Sequence, residues 1–481
     1  MTTTNVEGVQ RYPENGIKVI IVGAGNGGLN AALECWRKGC DVVVLEKNDS
    51  LSPLGDFFTL PPSALVTLPQ YPQLYKAYHE HVNNCSVHVY SPEGKPVRST
   101  MPEGRREGVT HCAPDVDVSF LVRRPHLAKW QLEQCQALGI PVHFSTKGLN
   151  VEETADKVIV HTDKGSFAGD VCVAADGIGS KLPWPAPGGI ATVQDSGYAV
   201  SRVAFPRTTL KQGSLARDLV DEALKHGPQF RTYLADDVHL ILFITRDHVA
   251  WCFTHEADEL SEESWHNLRD PEDIIRQIEK SSDKWDPAVI DFVQQTPTQV
   301  VDWRLMWRDG VEQWTSDGGR IIKLGDAAHS FFPTAGNGAV QAQEDGLSLA
   351  ECLRLGGKSG VQWATKVHNK LRFQRVSVLQ QTGFVNRDEL HHSNLKAMAE
   401  GPADAHIGFF KIGRWVWDHN AEEYAKENFE ACLEHVRDGK PFENTNLPPG
   451  HKYQPWSLES ETKRMEAGER STLKENGDWG Y

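Results

Sequence analysis

Near the start of the chain, KVIIVGAGNGGLNAALECW begins at Lys18 and holds four glycines between Gly23 and Gly28. Val19, Ile20, Ile21 and Val22 form an unbroken apolar run, which predicts a strand buried on both faces. Leu29, Ala32, Leu33 and Trp36 then recur at helical spacing. Gly39 stops that helix, and DVVVLEKN is a second buried strand. Strand, glycine turn, helix and strand within about 30 residues make a βαβ unit. Gly23, Gly25 and Gly28 match GxGxxG in that setting. Gly23 allows the tight turn, Gly25 lets the backbone approach a pyrophosphate, and Gly28 lets the helix pack close to the strand. The helix N-terminus offers N–H groups and partial positive charge to the phosphate. Glu46 ends the second strand, 18 residues past Gly28. A carboxylate there accepts hydrogen bonds from both ribose hydroxyls and repels a 2′-phosphate, so FAD or NAD suits the site better than NADP. A glycine-rich turn without a ligand is the bland alternative. The strand, the helix and the acid, all in place, argue against it.

The rest of the chain narrows the class. Its 481 residues allow two or three domains, or one elaborate α/β enzyme. The net charge of −15 is spread along the chain, which disfavours nucleic acid or an anionic membrane as partner. The nine cysteines include no CxxC or zinc-like cluster, and an odd, scattered set fits a reducing, cytoplasmic setting. The opening MTTTNVEGVQRYPENG is too polar for a signal peptide. No stretch approaches 18 consecutive apolar residues, so no membrane span is expected. No internal repeat is visible. The final KYQPWSLESETKRMEAGERSTLKENGDWGY is charged and punctuated by Pro and Gly, and is expected to be a peripheral tail.

Texture divides the chain further. From about Gly197, YAVSRVAF, VHLILFI and HVAWCFTHE read as strands separated by polar and helical insertions. GRIIKLGDAAHSFFPTAGNGAVQAQEDG then returns to strand, loop and helix, and the chain beyond Gly360 is mostly helical. The expected architecture is α/β: a Rossmann-like dinucleotide-binding domain split between 1–196 and 302–390, an inserted sheet-rich substrate domain over 197–301, and a C-terminal helical segment and tail over 391–481.

Two more signals follow the glycine turn in order. VAADGIGS is an apolar strand ending in Asp176-Gly177. IIKLGDAAHSFFPTAGNGAV is a strand ending in Gly325-Asp326, then Pro333, Gly336, Asn337 and Gly338, then a helix. With these three motifs the chain resembles the group A flavin-dependent monooxygenases, which share the fold of para-hydroxybenzoate and salicylate hydroxylases. The resemblance covers roughly residues 17–390. Within the family the likeness is to fungal hydroxylases of phenolic polyketides and other secondary metabolites.

The resemblance implies FAD as cofactor, NADPH or NADH as transient co-substrate, and O2. Glu46 would take the FAD ribose. Arg124, in RRPHL, would contact FAD near its phosphates or ribityl chain, and Asp326 would hydrogen-bond the ribityl hydroxyls. Gly338 and Ala339 would offer N–H groups to the flavin pyrimidine edge, where a helix N-terminus stabilises the anionic reduced ring. Arg123 beside Arg124 leaves a surface cation as the bland reading, and Asp326 is alternatively an N-cap. Two departures stand out. DGIGSKLPW offers Lys181 where relatives often carry Arg. In the loop after Glu46, relatives often carry a small residue where this chain has Phe57, in GDFFTLPPSA; Phe57 and Phe58 either shape a wider aromatic-lined pocket or belong to the core.

The family reaction passes through a flavin C4a-hydroperoxide that an electron-rich ring, usually a phenolate, attacks. The protein must exclude water and favour the phenolate. Arg202, on the otherwise apolar strand YAVSRVAF, would face a pocket or a carboxylate, and is the expected phenolate anchor. Tyr233 is the nearest tyrosine that could assist. His239 and His329 are expected to be structural. The function implied is hydroxylation of a phenolic or polycyclic, polyketide-like small molecule. An epoxidase or Baeyer–Villiger-type oxygenase on a non-phenolic substrate stays open, as does a non-catalytic flavoprotein. A single GxGxxG argues against the two-dinucleotide Baeyer–Villiger type.

Overall fold

The computed structural model describes residues 3–100, 120–178, 180, 193–281, 284–391, 395–400 and 413–480. Lys181 lies outside the described residues, as do 392–394 and 401–412 of the C-terminal segment.

Two sheets organise the molecule. The first has five strands in the order Val142–His143, Asp41–Leu45, Lys18–Val22, Val171–Ala174 and Ile321–Lys323, and all its pairings are parallel. Its side chains sort by parity, as the two-residue repeat of a strand requires. Val19, Ile21, Val42, Val44, Val171 and Val173 pack under helices. Ile20, Val22, Val43, Leu45, Cys172 and Ile321 pack against Val151, Val158 and Val160 of a three-stranded antiparallel sheet on the other face. Burial on both sides explains why these strands read as continuous apolar runs.

Helix Asn26–Arg37 and helix Gly338–Gly356 cross closely on the first face. A Cβ at Gly346 would stand 2.6 Å from Asn30 Nδ2 and 3.1 Å from the Ala31 nitrogen. Asn30 Nδ2 also donates to the Gln343 carbonyl at 2.9 Å. Two chain segments some 300 residues apart are thereby joined side by side.

The second sheet has eight strands. In order they are Leu268–Arg269, Val300–Arg308, Val193–Pro206, His248–Glu256, Val238–Ile244, Gln229–Ala235, Ser86–Tyr90 and Pro96–Thr100. It is therefore wider than the segment 197–301, and takes in two strands from well before it. One face packs on helices Leu215–Leu224, Pro271–Lys280 and Pro287–Gln294 through Leu240, Leu242, Trp251, Phe253 and Tyr233. The other face carries Val200, Phe243, Ala250, Cys252 and Leu305 towards Phe332 and Phe384.

The long helix Val361–His391 and helix Ala421–Asp438 close the structure. The expectation of a peripheral tail is corrected. Leu473 and Trp479 are buried against Val378 and Val385, and Leu458 is buried in the cluster that holds Phe332 and Phe384. Three apolar residues spaced this widely leave no periodic signal in a polar sequence. No helix among the described residues is long and apolar enough to cross a membrane.

Candidate active site

A cavity of about 1480 Å³ runs from the glycine turn to the eight-stranded sheet. At one end lie Gly23, Gly25, Gly28 and Glu46. Gly23 has φ +110, and a Cβ there would stand 2.3 Å from the Ala175 carbonyl oxygen. A Cβ at Gly28 would stand 2.1 Å from the Gly23 oxygen. A Cβ at Gly25 would meet no protein atom within 4 Å, because that position faces the cavity. Gly25 caps helix Asn26–Arg37 without a side-chain hydrogen bond, which leaves the first-turn N–H groups to a ligand. Glu46 accepts from the Ala24 and Asn48 N–H groups, both at 2.9 Å. Each of its oxygens keeps a lone pair for a hydroxyl.

Further along lie Arg124, Asp176, Asp326, Asn337, Gly338 and Ala339. Helix Gly338–Gly356 also begins without a side-chain cap, and its N-terminus opens into the cavity. Asn337 instead donates to the Ala335 carbonyl at 2.6 Å. Burial lowers the pKa of Arg124, and nearby Arg202 lowers it further while Asp326 and Asp56 oppose this. Burial raises the pKa of Asp176, whose Oδ2 accepts from Ser180 Oγ at 2.6 Å.

A buried ionic network fixes this end from behind. Asp345 Oδ2 accepts from the Gly325 N–H at 3.1 Å and lies 2.6 Å from His329 Nε2. Arg372 bonds Asp345 Oδ1 at 2.9 Å and Glu344 Oε2 at 2.6 Å. Arg375 Nε bonds Glu344 Oε2 at 2.9 Å. Burial alone would raise the Glu344 pKa, but Arg375 and Arg372 hold it at about 2. His329 is thus structural, as its sequence context suggests.

The far end is a chamber on the open face of the eight-stranded sheet. Phe57, Phe58, Phe230, Ile241, Phe243 and Trp303 line it, with Tyr198, Arg202, Thr232, His239, Thr254 and Trp265. Phe57 serves both core and pocket, since its ring packs 5.6 Å from that of Phe243. Arg202 Nη1 lies 3.5 Å from Asp56 Oδ2, and its Nε is buried with no partner among the described residues. The guanidinium carbons of Arg202 and Arg124 lie 4.7 and 4.8 Å from the ring centroid of Trp265. Asp56 also accepts from Cys252 Sγ at 3.1 Å.

The arrangement has the parts a dinucleotide cofactor needs: two helix N-termini without side-chain caps, a glycine cradle open where a Cβ would intrude, and a carboxylate at the end of the neighbouring strand. Comparison with known proteins agrees. The family model described as an FAD binding domain matches residues 16–358. The FAD-dependent monooxygenase fsr3 of Gibberella fujikuroi is 36% identical over 98% of this chain and 91% of its own. The chain belongs to the FAD-dependent monooxygenases. The monooxygenase is also 33% identical to the FAD-dependent monooxygenase mdpD of Emericella nidulans, over 98% of this chain and 91% of that one. Among solved structures it is similar to CtdE in complex with FAD and a substrate. That match has a TM-score of 0.78 and 29% identity, over 87% of this chain and 99% of that one. Salicylate hydroxylase in a substrate complex, at 18% identity and a TM-score of 0.65 over 86% of this chain and 98% of that one, shares the fold. FAD is the cofactor of this chain.

Two sequence expectations for the monooxygenase need correction. Tyr233 does not line the cavity. It stacks on Tyr90 at 5.1 Å in the helix-covered core, and burial raises its pKa to about 12. Phe230 and Thr232 on its strand face the cavity, so strand parity turns Tyr233 away. His239, expected to be purely structural, lines the cavity and bonds Thr254 Oγ1 at 3.2 Å. Burial lowers its pKa to about 4, which keeps it neutral near pH 7. Asp56 and Trp265, which flank both arginines, carry no local signal in the sequence.

Proposed function

We propose that this monooxygenase hydroxylates a phenolic or polycyclic aromatic small molecule of secondary metabolism, using NAD(P)H and O2. In this reading 1–196 and 302–390 hold the cofactor, and 197–301 supplies the main substrate wall. The observation that carries the proposal is Arg202: a cation on the sheet wall of an aromatic-rich chamber, near Arg124 and with a buried Nε that has no partner among the described residues. When bound and reduced by the nicotinamide, FAD would supply the electrons that activate O2. Arg202 lowers the cost of ionising a phenol bound against it, because its charge acts through a poorly screened, apolar surrounding. Phe57, Phe230, Phe243 and Trp303 hold the ring in place and keep water out. Asp56 pairs with Arg202 Nη1 at 3.5 Å and leaves its Nε, buried with no partner among the described residues, to the substrate.

The test uses purified, flavin-loaded enzyme and a panel of one- to three-ring phenols. The expected result is phenol-stimulated NADPH oxidation with O2 uptake, and a product heavier by one oxygen. Oxidation of NADPH with no oxygen in any product would remove the hydroxylase reading. Arg202→Ala is expected to keep FAD and to lose about 100-fold in product formation, the scale of losing one preorganised electrostatic contact. Unchanged turnover would return Arg202 to a structural role.

A further inference from the structure

A second cation in the chamber has no counter-ion among the described residues. Arg387, on helix Val361–His391, lines the cavity. Its guanidinium carbon lies 5.3 Å from the ring centroid of Tyr198 and 5.3 Å from that of Trp307. Its Nε is buried with no partner, and no carboxylate among the described residues pairs with it. The acids beside it on the helix are engaged elsewhere. Asp388 faces Arg464 at 3.6 Å and Glu389 faces Lys474 at 2.8 Å.

The helix is held firmly here. Asn386 Nδ2 donates to the Thr334 carbonyl at 2.9 Å, and Thr334 Oγ1 donates to the Gly383 carbonyl at 2.6 Å. Arg387 is therefore fixed to the loop that leads into Gly338. Two aromatic rings hold its planar fork, while cation–π attraction supplies only part of what solvation gave up. A group of this kind matches a carboxylate through two parallel hydrogen bonds.

We propose that Arg387 anchors a carboxylate on the substrate, with Tyr198 beside it, so that the enzyme takes an aromatic acid in preference to a neutral phenol. This rests on the reading of the chamber as the substrate site. Tyr198 and Arg202 are four residues apart on one strand, about 13 Å at the usual rise. A fused-ring acid can then span the chamber, its phenol at Arg202 and its carboxylate at Arg387.

The test is titration of the flavin absorption of the holoenzyme with hydroxynaphthoic acid, anthraquinone-2-carboxylic acid and their methyl esters. The wild type is expected to bind acids at least tenfold tighter than esters, about 1.4 kcal/mol. Arg387→Met is expected to lose that preference through weaker acid binding, with ester binding and FAD content unchanged. Arg387→Lys is expected to restore part of it. Equal affinity for acids and esters in the wild type overturns the proposal. So does an equal loss of both in Arg387→Met, which would mark a packing role. A raised KM for NADPH with the acid preference intact would assign the cation to the co-substrate and overturn it too. If no acid perturbs the flavin, the subsite is wrong, whereas O2 uptake with neutral phenols would leave the hydroxylase reading standing.

Discussion

Gly23 and Gly25 stand two residues apart and answer to different demands. Gly23 has a left-handed backbone and no room for a Cβ against Ala175. Gly25 has φ −72, which any residue adopts, and open space in front of it. Gly23→Ala is expected to be a folding lesion, with backbone strain of about 1–3 kcal/mol and the clash added to it. Gly25→Ala is expected to fold like the wild-type apoprotein and to purify colourless, because the new methyl group stands where the pyrophosphate must approach. Thermal melting and flavin absorbance of both variants check this. A fully yellow Gly25→Ala would remove the phosphate contact from that position. The same contrast explains what the sequence reveals at this scale. Gly23, Gly25, Gly28 and Glu46 are legible because one short βαβ unit sets all four. Asp56, Trp265 and Arg387 reach the chamber only through tertiary packing, from three distant segments. Tyr233 was expected on the wrong face because a strand's parity is undefined until its register is known, and one residue's slip turns every side chain over.

At the scale of elements, the helix Gly338–Gly356 joins the cavity to the core. Its N-terminus opens to the cavity while Glu344 and Asp345, two turns on, are wholly buried. Acids in GAVQAQEDGLSLAECL look like a solvated face. They are instead matched by Arg372 and Arg375 from the next helix, a pairing that sequence spacing does not show. The helix itself, the parallel strands and the three glycine or aspartate turns were legible, because period and punctuation are local. The ionic layer has a consequence in acid. The Glu344 carboxyl sits at about 2 in the folded state, against about 4.3 for an unfolded glutamate. A depressed pKa contributes stability above the unfolded value, and that stability is lost as pH falls through the folded value. Melting temperature is therefore expected to drop steeply between about pH 4 and 2. Glu344→Gln should flatten that limb, and should cost about 3–5 kcal/mol at neutral pH by leaving two buried arginines underpaired. An unaltered acid limb in the variant would show that other carboxylates govern it.

Across the whole molecule, the cavity is assembled from parts that the chain order scatters: the first βαβ unit, the sheet, the loop before Gly338 and the C-terminal segment. The order of the motifs leads to the expectation of a split dinucleotide module; in the fold, strands Lys18–Val22, Val171–Ala174 and Ile321–Lys323 share one sheet and Asn30 donates to Gln343. The tail was not legible, because few of its residues are apolar. Yet Trp479 is 4% exposed, packs edge-on against Trp415 at 5.2 Å and lines the cavity. Leu473 is buried in the same cluster but does not reach the cavity. This separates two roles. Leu473→Ala removes only packing and is expected to cost about 2–5 kcal/mol, while the fraction of NADPH oxidation that ends in product stays as in the wild type. Trp479→Ala removes packing and part of the chamber wall. It is expected to cost about 3–5 kcal/mol and also to divert turnover to hydrogen peroxide, because water then reaches the reacting oxygen. The two variants are compared by melting temperature and by the peroxide released per NADPH. Equal peroxide release from both would mean that the tail acts through overall looseness, and would take Trp479 out of the wall.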